Sequence, residues 1–135
     1  MNAVGKAIAS MLFSPEKREE AFQKNTNLRK HLAAAETTID YLERIVEEAG
    51  GEKFRHRANP GLLYDELKIE KFGLKQRGYV CVFQAILSCP GLNLGIDDGR
   101  GKGGNRIYRF DLGPYVISHL KKRMGMYEQT QQAAV

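Results

Sequence analysis

Apolar residues along this chain recur mostly at helical spacing. Val4, Ile8, Met11 and Leu12 share one face of a short amphipathic helix over Asn2 to Phe13. Ser14-Pro15-Glu16 then reads as a fresh helix start, with a capping hydroxyl, a first-turn proline and an acid at the positive helix end. From Leu28 the positions Leu28, Leu32, Ala35, Ile39, Leu42, Val46 and Ala49 follow an a/d heptad, which Gly50-Gly51 ends. Such a seam serves either as the core face of a monomer or as a dimer interface carried by Leu28, Leu32, Ile39, Leu42 and Val46.

Glu52 to Arg57 is short and basic, an edge strand or a loop. Asn59-Pro60-Gly61 opens a helix expected to run from Pro60 to Lys71 and to stop at Gly73. The apolar run Tyr79 to Leu87 suits a buried strand or a buried helix, and a helix from Leu74 to Ser88 is the preferred reading. Leu92 to Ile96 and Ile107 to Leu112 alternate apolar and polar residues around the Gly/Asp/Asn-rich stretch 97–105, which predicts a β-hairpin with a long loop. Gly113-Pro114 opens a last helix from Tyr115 to about Met124, and a polar tail follows. Three parts are expected: a helical segment 1–25, a domain 26–126 and a tail 127–135. The fold class is α+β and mainly helical.

Charge sharpens this outline. Residues 1–50 carry seven Lys/Arg against eight Asp/Glu, whereas residues 51–135 carry fourteen against eight. The whole positive excess therefore lies in the second part, as expected of a surface that attracts polyanions. The 135 residues fit one domain, and 42% hydrophobic content suits a folded core. Cys81 and Cys89 are too few for a disulfide framework, and the N-terminal apolar run is too short to span a membrane. A cytoplasmic location without membrane attachment is the expectation.

Within the glycine-rich stretch, Arg100 and Lys102 stand among residues without side chains, so backbone and cations can approach a phosphate closely. Arg106 and Arg109 continue the positive stripe along the following strand. Taken with Tyr64-Asp65-Glu66-Leu67 and Gly73-Leu74-Lys75-Gln76-Arg77, this order of elements resembles the winged helix-turn-helix superfamily over roughly residues 26–126. The resemblance implies a recognition helix that begins at Lys75, Gln76 and Arg77, and a wing anchored by Arg100, Lys102, Arg106 and Arg109. It implies DNA binding, as by a regulator of transcription, replication or partition; the heptad seam and the apolar last helix lead us to expect a homodimer, and the small size suits a phage or plasmid protein. RNA is an alternative nucleic acid. The apolar run in the recognition helix leaves few positions to read bases.

No catalytic, cofactor or metal constellation stands out. Gly99 to Gly104 lacks the order of a P-loop and precedes a strand. His31, His56 and His119 are far apart, the two cysteines have no neighbouring ligand pair, and Asp97-Asp98 reads as the start of a turn. The competing reading is a small inhibitor or adaptor that binds a host protein through the apolar face of 28–49 and a basic hairpin. Affinity for generic duplex separates the two.

Overall fold

A computed structural model describes residues 3–24, 27–100 and 106–126. Its elements are α1 (Ala3–Leu12), α2 (Pro15–Lys24), α3 (Asn27–Glu48), β1 (Phe54–Ala58), α4 (Pro60–Glu66), a 3-10 turn (Ile69–Phe72), α5 (Gln76–Leu87), β2 (Asp97–Arg100), β3 (Arg106–Leu112) and α6 (Pro114–Arg123). The strands form an antiparallel sheet in the order β1-β3-β2. The fold is thus α+β and mainly helical, with a small antiparallel sheet. No helix among the described residues is long and apolar enough to cross a membrane. The polar tail 127–135 lies outside the described residues.

The heptad seam of α3 lies inside the chain's own core. Leu28, Ala35, Ile39, Leu42 and Val46 are buried, Leu32 packs partly buried against the same cluster, and Ala49 is exposed. Ala34 and Thr38 are buried as well, so the covered face is wider than an a/d stripe. It meets α5, α6, α2, α1 and the 3-10 turn instead of a single partner helix. The expected dimer interface of Leu28, Leu32, Ile39, Leu42 and Val46 is corrected accordingly: these side chains are used up within one chain. Ile8, Leu12 and Phe13 join the same core, so α1 is integral to it.

Residues 79–87 are helical. Tyr79, Val82, Phe83 and Ile86 fall at i, i+3, i+4 and i+7, and all are buried. Cys81 and Ala85 are buried on a second stripe, with Gly78 partly so, and α1 lies along α5. The helix expected over Pro60 to Lys71 breaks into α4 and the 3-10 turn, with Lys68 between them in the left-handed region at φ 54°. In one continuous helix Ile69 would lie about 240° round from Leu63. The break brings both into the core.

The hairpin is also redrawn. Leu92 to Ile96 forms no strand, and the first strand is Asp97–Arg100. Gly95 at φ 58° turns the backbone out of the extended region, and the Leu94 carbonyl takes its hydrogen bond from the Asp111 N–H at 2.9 Å. Leu94 is buried while Ile96 stays exposed. Asp97 and Asp98 are therefore strand residues paired with Arg109 and Tyr108, not the start of a turn.

An aromatic stack ties α4 and α5 to β3. Tyr64, Tyr79, Phe83 and Tyr108 follow one another at centroid distances of 6.2, 6.5 and 5.8 Å, and Phe110 meets Phe83 edge-on. Thr38 Oγ1 donates to the Ala34 carbonyl at 2.8 Å, so the Tyr79 hydroxyl, 2.7 Å away, donates to Thr38. Burial pushes the Tyr79 phenol up to about 12. Tyr79→Phe leaves the Thr38 lone pair buried and unmatched, and should cost about 1–2 kcal/mol. Thr38→Val orphans the phenol and should cost about as much. The double variant should cost less than the sum of the two in a urea-denaturation cycle. Additive losses would mean that the two groups do not interact.

His56 packs edge-on between Phe54 and Phe110, and burial lowers its pKa. Burial, then the charge of Lys30, does the same to His31. The native state therefore binds fewer protons than the unfolded chain just below the ordinary histidine value of 6.5. Stability should fall as the pH drops from about 7.5 to about 5.5, and His56→Gln should shrink that fall. Burial raises Glu36 and Asp40, which act in the opposite sense at lower pH. A stability flat over the histidine range would contradict this assignment.

Candidate nucleic-acid interface

Two hydrogen bonds set the pose of α5 against α4. The Tyr64 hydroxyl donates to the Leu74 carbonyl at 2.6 Å, and Gln76 Nε2 donates to the Gly61 carbonyl at 3.3 Å. The absence of a side chain at Gly61 leaves room for the Gln76 amide, which an added Cβ would meet at 2.8 Å and displace. Asn59 caps α4, accepting from the Gly61 N–H at 2.9 Å.

The start of α5 has no such cap. Lys75 stands at the N-cap with no side-chain hydrogen bond, and the first turn holds no acid. The free N–H groups and the positive helix end are followed by Arg77, where an acid would be favourable. More cations gather nearby. Lys30 reaches across from α3, with its Nζ 3.3 Å from where a Gly73 Cβ would stand, and Gly73 itself has φ 84°. Lys68 and Lys71 are exposed on the preceding turn, with Lys71 Nζ 5.2 Å from the centre of the Phe72 ring. Lys68, Lys71, Tyr64, Asp65 and Glu70 line an open concavity of about 540 Å³. Lys30, Lys68 and Lys71 escape a reading by linear clusters. Lys30 comes from a distant helix, and the other two fall on what reads as an ordinary helical surface.

Because α5 is covered on two sides, it shows solvent a narrow strip. Gln76, Arg77 and Ser88 are exposed, and Val80 and Gln84 partly so. Gln84 and Ser88, with Leu87, face the hairpin across a groove of about 240 Å³ also lined by Ile96, Asp98, Arg106 and Tyr108. Gln84 Nε2 donates to the Tyr108 hydroxyl at 2.7 Å. Its Oε1 is buried with no hydrogen-bond partner among the described residues. Arg106 is exposed, with its Nε 3.8 Å from Asp98 Oδ2.

The seven cations and amides singled out in the sequence thus fall into separate places. Lys75, Gln76 and Arg77 stand together at the α5 start, and Gln76 is partly engaged by Gly61. Arg106 faces the groove beside the α5 end. Arg109 points to the other face of the sheet, where its Nη2 meets Asp97 Oδ2 at 2.9 Å. Arg100 ends β2, and Lys102 lies outside the described residues.

Among the described residues no cluster of three or more His, Cys, Asp or Glu could hold a metal ion. Cys81 and Cys89 are free and buried, and burial pushes the Cys89 thiol up to about 11, which keeps it protonated at neutral pH. Comparison of the chain with protein-family models, with curated proteins and with solved structures finds no match.

Proposed function

We propose that this chain is a small DNA-binding protein of winged helix-turn-helix type, in which α4 and α5 are the paired helices and β2–β3 is the wing. The observation that carries this reading is the uncapped start of α5, with Lys75 and Arg77 on it and Lys71 and Lys30 beside it. Free N–H groups and cations at a helix N-terminus are unfavourable in the free protein, and a phosphate placed there relieves both. The connectivity supports it. A helix, a strand, two helices and a hairpin follow in that order, and the first strand pairs with the last strand of the hairpin.

Arg106 extends the same side toward the wing. Arg77 and Gln84 stand seven residues apart on α5, a rise of about 10 Å, so Arg77 and the Arg106 that shares a groove with Gln84 can address phosphates flanking a groove about 12 Å wide. Base reading falls to few groups. Gln76 and Gln84 are both tied to neighbours, and Arg77 is the one exposed side chain of the strip suited to a guanine edge. The protein reads backbone and groove shape more than sequence, as suits a general regulator of transcription, replication or partition. The competing protein-binding reading loses its main surface, since the apolar face of 28–49 is buried.

Fluorescence anisotropy with a generic duplex tests this. Binding should weaken at least tenfold between about 50 and 200 mM salt. Lys75→Ala with Arg77→Ala should flatten the slope of log affinity on log salt by up to about two units. Folding should be unaffected, because both side chains are exposed. No affinity for duplex at the low salt would overturn the reading.

A further inference from the structure

The sheet has a second charged face that the proposed interface does not use. Along β1 and β3, Phe54, His56, Ala58, Tyr108, Phe110 and Leu112 turn inward, buried or partly so. Arg55, Arg57, Arg109 and Asp111 turn outward. Asp97 joins them from β2, and Lys53 from just before β1.

The acids on this face are already engaged. Asp111 meets Lys53 at 3.3 Å and Arg55 at 3.4 Å, and Asp97 meets Arg109 at 2.9 Å. Arg57 has no acidic partner among the described residues. Its register partner is Arg109 on the central strand. Like charges directly opposite one another in a sheet destabilise it. Cations on an edge strand commonly guard against edge-to-edge pairing, which accounts for Arg55 and Arg57 on β1. Arg109 on the central strand is answered by Asp97, so Arg57 facing it is the cation left over, and the face holds four cations (Lys53, Arg55, Arg57, Arg109) against two acids (Asp97, Asp111).

We propose that the outer sheet face is a second phosphate-contact surface, on which Arg57 and Arg109 grip the backbone of a second duplex segment. The proposal rests on the DNA-binding reading above and adds bridging to it. The α5 side and the outer face lie on different sides of the sheet, so one chain can hold two segments at once. Guanidinium groups side by side suit phosphate oxygens by bidentate hydrogen bonding, and Lys53 and Arg55 prolong the track.

A sandwich assay tests this. A bead-bound duplex is saturated with the full-length protein and challenged with a second, fluorescent duplex at low salt. The wild type should capture the second duplex. Arg57→Glu should lower capture about tenfold or more, and keep single-duplex affinity within about threefold of the charge-matched control Lys122→Glu on the exposed side of α6. Arg57→Glu should also raise the thermal unfolding midpoint, since a Glu–Arg cross-strand pair replaces an Arg–Arg pair. Single-duplex binding by the wild type without capture would overturn the second surface alone. Capture by Arg57→Glu equal to that of Lys122→Glu would do the same, leaving the arginines as edge guards. No binding of any duplex would overturn the DNA-binding reading and the bridging inference together.

Discussion

The double burial of α5 is the constraint on which the rest depends. Tyr79, Val82, Phe83 and Ile86 lock one face into the aromatic stack and onto α3, while Cys81 and Ala85 are covered on a second. Fully burying such side chains is worth about 1.5–3 kcal/mol each, so α5 is among the least movable parts of the molecule. The cost is functional. A helix wrapped on two sides has few positions left for a ligand, and those left are its first turn and one thin strip. The chemistry accordingly collects at the N-terminal end of α5 and at the hairpin beside its far end.

Electrostatics follows the same division. Where cations have nearby acids, as in Arg109 with Asp97 or Lys121 with Glu43, the charge is locally answered. At the uncapped α5 start, Lys75 and Arg77 have no acid in the first helical turn, and Arg57 has none among the described residues, so an anion placed at either would relieve local repulsion. A net charge of +5 understates this, because the two uncompensated regions sit on different sides of the sheet. Overall basicity says little; its local imbalance marks where a polyanion gains most.

Much of the fold could be read from periodicity. The long heptad helix, the α5 helix, the hairpin and the last helix announce themselves through spacing, glycine and proline. What could not be read depended on partners far away in sequence. The heptad seam was ambiguous because an a/d stripe looks the same whether it packs on one helix or on several. The break at Lys68 was hidden, since a left-handed lysine leaves no compositional mark and is chosen by where Ile69 must go. The first hairpin strand was misplaced because alternation continued through Leu92 to Ile96, while Gly95 took it out of the ladder. Of the site, the cluster Lys75 to Arg77 was legible as a run. Lys30 was not, and the opposite facing of Arg106 and Arg109 needed the register to assign each to its side.

The proposed polyanion would dock on the side of the molecule that presents the start of α5 and the hairpin. Backbone amide shifts followed by NMR during titration with a short generic duplex address it residue by residue. The largest changes should fall on Lys30, Lys71, Lys75, Arg77, Ser88 and Arg106. The groove between α3 and α6, lined by Val46, Pro114 and Ile117, should stay unperturbed. Changes centred on that groove, or none at all, would contradict it.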